Sequence, residues 1–185
     1  MSRRKRTPVH VYTYGVIDEL MASTTEPLSA EKRAWQLARM RHALQTIESG
    51  DQPTPVDWRL CSDAVNMLET LTTSGATMTD DDGNPCSGWW PGCDGEPVRV
   101  TDASGMLKDA ITALATAGRR HFSHGAIRLD GPGIQTMRAV LDDYADLLAA
   151  LPARTIIRAH RQTEKRIHDI SRGKKKPHDV EVVAV

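Results

Sequence analysis

The chain has 185 residues, 24 Lys+Arg against 24 Asp+Glu, 39% hydrophobic residues and a single Phe. That length carries one full core and argues against two independent domains; a core so poor in aromatics is built from Leu, Ile, Ala, Val and Met, which favours packed helices over an aromatic-rich sheet. No apolar run nears the ~20 residues that span a bilayer, the basic MSRRKRTP start is not followed by the apolar region of a signal peptide, and three cysteines, an odd number, argue against a secreted disulfide framework.

The expectation is therefore a mainly α, single-domain bundle of about five helices with a few short strands, in the cytoplasm and with no membrane partner. Its zero net charge hides a segregation. Residues 1–50 carry 8 basic and 5 acidic groups, 51–110 carry 3 and 11, 111–150 carry 4 and 4, and 151–185 carry 9 and 4. An anionic partner responds to the local field of the basic ends, not to the total.

In chain order, residues 1–8 read as a disordered basic arm and 9–172 as the helical domain, with an irregular insertion at 76–97 and a basic tail at 173–185. Alternating residues at 9–14 suggest a short strand, which 180–185 would pair with, tying the two ends together. Ser29 is a plausible N-cap for a helix ending at Gly50, with Ala34, Leu37, Met40 or Arg41, Leu44 and Ile47 inward and Lys32, Arg33 and Arg39 outward. Thr54, Pro55 and Asp57 start the next helix, whose stripe is Val56, Leu60, Ala64, Met67, Leu68 and Leu71 and whose terminator is Gly75. Cys61 borders that stripe as a small core residue.

No period survives in the Gly-, Pro- and Asp-rich 76–97 segment, which reads as a surface excursion. Short strands are expected at 98–101 and 126–129. Between them Asp102 or Ser104 caps a helix with Met106 or Leu107, Ala110, Ile111, Leu114 and Ala115 inward and Gly118 at its end. Asp130 and Pro132 open the penultimate helix, striped by Ile134, Met137, Leu141, Tyr144, Leu147 and Leu148, and Pro152 marks the joint to the last one.

The last helix carries the clearest functional signal. At about 100° per residue, Arg154, Arg158, Arg161, Lys165 and Arg172 project within a sector of roughly 60°. Ile156, Ile157, His160, Thr163, Ile167 and Ile170 take the opposite side. The macrodipole accounts for cations at the C-terminal end, Arg172 with Lys174, Lys175 and Lys176, but not for Arg154 and Arg158 near the positive end. Three readings stand: a solvated rail, or one paired with the acidic middle of the chain; a surface for nucleic-acid phosphate; and a surface for an acidic protein. With no aromatic among these cations, stacking on single-stranded bases is not expected.

Other constellations are weaker. Cys86 and Cys93 (C-x6-C) with His121 and His124 could supply zinc ligands, but the spacing departs from the close pairs zinc sites use. DDDGN at 80–84 places Pro85 and Pro91 where a calcium loop needs Gly and Glu. Trp89 and Trp90 are either a lid folded on the bundle or a protein-interaction hot spot. His160 and Glu164, one turn apart, read as a hydrogen-bonded pair on a helix face. No nucleophile elbow, metalloprotease helix, phosphate loop or dinucleotide fingerprint occurs, so neither an enzyme nor a cofactor is expected.

The stretches DWRLCSDAVNMLETL (57–71), AGRRH (117–121), IRLDGPGIQTMRAVLDDYADLL (127–148) and RTIIRAHRQTEKRIHDI (154–170) resemble an uncharacterised family of small phage- and prophage-encoded proteins of proteobacteria. The resemblance implies a bacterial cytoplasm and a phage accessory role, and carries over no catalytic motif; the 76–97 insertion departs from it. The sequence thus points to a non-enzymatic accessory protein that binds nucleic acid or a nucleoprotein complex through its basic last helix. The alternative is an adaptor or inhibitor of a host protein acting through Trp89 and Trp90, and a zinc-stabilised module comes third. Nothing in the sequence sets an oligomeric state.

Overall fold

The computed structural model describes residues 25–74, 82–84 and 86–173. It is a mainly helical bundle with one two-stranded antiparallel sheet: α1 (Ala30–Ser49), α2 (Pro55–Thr73), β1 (Trp89–Pro91), β2 (Pro97–Arg99), α3 (Leu107–His124), α4 (Gly131–Ala150) and α5 (Ala153–Ser171). The expected arm at 1–8, the strand at 9–14, its partner at 180–185, and Lys174, Lys175 and Lys176 lie outside the described residues. No helix among those described is long and apolar enough to cross a membrane.

Helix starts follow the capping chemistry. Ser29 Oγ accepts from the Lys32 amide, and Gly50 closes α1 in the left-handed conformation. Thr54 and Asp57 form a capping box ahead of α2, with Pro55 in its first turn. Asp130 Oδ1 accepts from the Gly133 amide at 2.8 Å to open α4. At α3 the cap is indirect: Met106 makes no side-chain cap, and Asp102 reaches over it to accept from the Leu107 amide at 3.1 Å.

The bundle is organised around α2, which touches α1, α3, α4 and α5. Every residue from Ala64 to Leu71 is buried, so the helix is enclosed on all sides rather than along one stripe. Val56, expected inside, is 57% exposed, and Trp58 takes the inward place, 7% exposed with its indole N–H on the Leu114 carbonyl at 2.8 Å. Ala34 is likewise exposed, because Gln36 and Ala43 share the α1 seam with Met40, Leu44 and Ile47. Gln36 spans to α4, donating to the Tyr144 hydroxyl at 2.8 Å. Such a bond in the interior spares both groups the cost of unpaired burial.

Three further expectations are corrected. Gly118 does not end α3: the helix runs on to His124 and stops at Gly125, and Gly118 lies inside it beneath the Trp58 ring. Residues 126–129 form no strand. The 76–97 segment, expected without strands, contains β1, which pairs with β2 in the register Trp89↔Arg99, Trp90↔Val98 and Pro91↔Pro97. Three-residue strands are too short to show a period in sequence.

Candidate functional site

The two faces of α5 are as the residue spacing predicts. Ile156, Ile157, His160 and Thr163 are buried and Ile167 and Ile170 half-buried, while Arg158, Arg161, Lys165 and Arg172 are exposed and Arg154 is half-buried. Besides the apolar contacts of Ile156 and Ala159 in the core, α5 meets α2 through polar groups. Thr70 and Thr163 hydroxyls lie 2.6 Å apart, Gln162 Nε2 donates to Ser74 Oγ at 2.8 Å, and Arg166 pairs with the buried Glu69. The acidic middle of the chain therefore reaches α5 at Arg166, which is not a member of the basic rail. Among the described residues no carboxylate pairs with Arg154 or Arg158.

The ribbon is fastened beside the start of this helix. Gly88, at φ 77°, donates to the Ser74 carbonyl at 2.8 Å and accepts from the Val100 amide at 2.7 Å. Trp90 follows, 3% exposed, its indole N–H on the Leu71 carbonyl at 2.7 Å. Thr155 Oγ1 donates to the Pro91 carbonyl at 3.5 Å, and Cys93 Sγ reaches the Ala150 carbonyl at 3.3 Å. At the joint itself the Ala153 amide donates to the Glu26 carbonyl at 2.8 Å, beside a Pro27–Pro152 bridge.

Together these contacts shape a concavity of about 520 Å³ whose walls are Trp90 and Pro91 on one side and Arg154, Thr155, Ile157, Arg158 and Arg161 on the other. The structure thus joins the tryptophan segment and the basic rail, which are separate signals in the sequence. Trp90 contributes as an anchor whose indole is spent inside the protein. Trp89 is half-buried on the opposite face of the ribbon with the Arg99 guanidinium 6.0 Å from its ring centroid. Sequence reasoning missed Arg99, Pro91 and Thr155; only the ribbon's register brings them in.

Titratable groups behind the rail are tuned by burial. His160 is 7% exposed and burial pushes its imidazole down to about 4, so it adds no charge to the rail at neutral pH. Its Nδ1 lies 3.8 Å from Glu164 Oε2, too far for the hydrogen bond expected of that pair. Burial raises the Glu164 carboxyl above the usual range, and the Arg161 guanidinium pulls it back. Cys61 is fully buried, its thiol pushed up to about 12 by burial with Asp57 and Asp63 adding to the effect, as suits an inert core residue.

Among the described residues no group of three or more His, Cys, Asp or Glu side chains is placed to hold a metal ion. The set Cys86, Cys93, His121 and His124 is accordingly not gathered: both cysteines are free and partly exposed, and the two histidines lie in the last turns of α3. The chain matches no protein-family model, no curated protein and no solved structure.

Proposed function

We propose that this chain is a non-enzymatic accessory protein, of the phage or prophage kind its sequence resembles, that binds nucleic acid or a nucleoprotein complex along the basic face of α5. The observation that carries the reading is the concavity where Arg154, Arg158 and Arg161 converge, two of the three with no carboxylate partner among the described residues. Guanidinium forks match phosphate oxygens bidentately and shed water more readily than ammonium groups. At ~1.5 Å rise per residue, the run from Arg154 to Lys165 spaces four cations over about 16 Å, a length on which several consecutive phosphates fit. An adaptor acting through both tryptophans has less support, because the Trp90 indole is inside the protein.

The test is binding of labelled, sequence-random DNA and RNA across a salt series, beside the triple variant Arg158→Glu, Arg161→Glu, Lys165→Glu. Phosphate contact predicts log K falling linearly with log salt for the wild type and no measurable binding for the variant. Absence of wild-type binding at low salt would sink the reading.

A further inference from the structure

The cations of α5 have no aromatic among them in sequence, yet the fold brings one alongside. Side chains alternate across a strand, and Trp90 with its partner Val98 turns toward the core. The register therefore sets Trp89 opposite Arg99 and Pro91 opposite Pro97 on the other face. There the Arg99 guanidinium covers the Trp89 ring at 6.0 Å from its centroid, Arg99 exposed and Trp89 half-buried.

Pro91 belongs to both surfaces. It walls the arginine concavity, and it stands two residues from Trp89 on the same face, about 7 Å along the strand. A guanidinium–indole cation–π pair thus sits one short step along the strand from a cluster of three guanidiniums. The cluster suits phosphate, and the pair suits the π-face of a base, which packs on aromatic rings and on arginine planes alike. A duplex keeps its base faces inside its own stack and offers only phosphates and edges to such a surface.

Resting on the phosphate reading above, we propose that the ligand is a single-stranded nucleic acid, one base stacked on the Arg99–Trp89 pair while adjoining phosphates lie among Arg154, Arg158 and Arg161. Neither half suffices: the rail alone binds any polyanion, and the pair alone binds too weakly to matter. Single-strand preference comes from the ribbon and affinity from α5.

The experiment compares a short labelled single strand with its own duplex, as DNA and as RNA, against wild type, Trp89→Ala, Trp89→Phe, Arg99→Ala and Arg158→Glu/Arg161→Glu. Wild type is expected to prefer the single strand, and Trp89→Ala to lose about 5- to 150-fold on it, the range of one base–aromatic stack, with little change on duplex. Trp89→Phe retains most of the preference. Arg99→Ala, at an exposed position where folding is not at stake, reduces it, and the double charge reversal abolishes both modes. Equal binding of strand and duplex, or a preference that survives both Trp89→Ala and Arg99→Ala, overturns the stacking proposal while leaving the phosphate reading intact. Failure of wild type to bind either form at low salt removes both.

Discussion

The indole N–H of Trp90 donates to the Leu71 carbonyl at 2.7 Å, which pins the ribbon to the last turn of α2. Helix carbonyls there run out of intrahelical amides, so this side chain satisfies a group the helix leaves over. Trp90→Phe keeps most of the packing and strands the carbonyl, and it should cost about 1–2 kcal/mol. Trp90→Ala also opens a cavity and should cost about 3–5 kcal/mol. Urea denaturation of both variants checks the order; a Trp90→Phe variant as stable as the wild type would mean that the hydrogen bond contributes nothing.

Arginines of the bundle are not equivalent. Arg138 on α4 is held by Glu48 of α1 at 2.7 Å, an exposed pair, whereas Arg158 has no carboxylate partner among the described residues. Arg158→Gln should therefore lower the steepness of log K against log salt by about 0.7 on single strands, the value of one phosphate contact. Arg138→Gln should leave the slope alone and change stability by at most ~1 kcal/mol. Salt titrations of the two variants side by side decide it; a matching drop in both would make the effect one of overall charge.

How much of this was legible in sequence depends on the range of the interaction. The two sides of α5 and the caps at Ser29, Thr54 and Asp130 depend on neighbours within one or two turns, and local spacing shows them. Val56 and Trp58 could not be sorted that way, because α2 is wrapped by four helices and apolar residues lie all around it. Gly118 reads as a terminator until Trp58, far away in sequence, covers it. The concavity depends on Thr155 meeting Pro91, 64 residues apart, through a hydrogen bond from a side chain that carries no periodic signal.

The α2–α5 seam supplies a double-mutant cycle. Each of Thr70 and Thr163 also sits within donating distance of its own helix, at the Asn66 and Ala159 carbonyls, both 2.9 Å away. Each hydroxyl has one proton, so at 2.6 Å one must donate across the seam and the other back to its helix. Thr163→Val and Thr70→Val should each cost about 1 kcal/mol, and the double variant clearly less than their sum, since the second change finds no partner left to strand. Strict additivity in denaturant melts would show that the hydroxyls do not interact.

Two glycines should respond to alanine with opposite signs. Gly88 sits at φ 77° with the Val100 carbonyl oxygen 2.6 Å from where a Cβ would stand, both backbone constraints. Gly88→Ala should cost more than the ~1–2 kcal/mol of left-handed geometry alone, and it should loosen the ribbon. At Gly118 a Cβ would meet Trp58 Cζ2 at 3.4 Å, an ordinary contact. Gly118→Ala should gain about 0.5–1 kcal/mol from helix propensity. Thermal melts of the pair test whether Gly118 serves packing under Trp58: a loss there would show that the indole cannot give way.

Asp63 and His160 set opposing pH dependences. Burial pushes the Asp63 carboxyl up to about 7; Arg59 and Arg39 pull against that shift and Glu164 adds to it. The folded state thus keeps a proton that the unfolded chain releases near pH 4, and this contribution to stability is lost as pH rises toward 7. His160 has the reverse sign: its folded value is pushed down to about 4, so the unfolded chain binds the proton first and stability falls as pH drops below ~6.5. Glu164, also raised, acts with Asp63. Across roughly pH 4–6.5 the slopes from Asp63 and His160 offset each other, and the wild type should show a flat stability profile there. Asp63→Asn should convert that profile into one that rises with pH, and His160→Gln into one that falls. Urea midpoints measured at half-unit pH steps distinguish them; an Asp63→Asn profile superimposable on the wild type would mean that this carboxyl is solvated enough to ionise normally, and that the polar contacts of the α2–α5 seam leave its protonation alone.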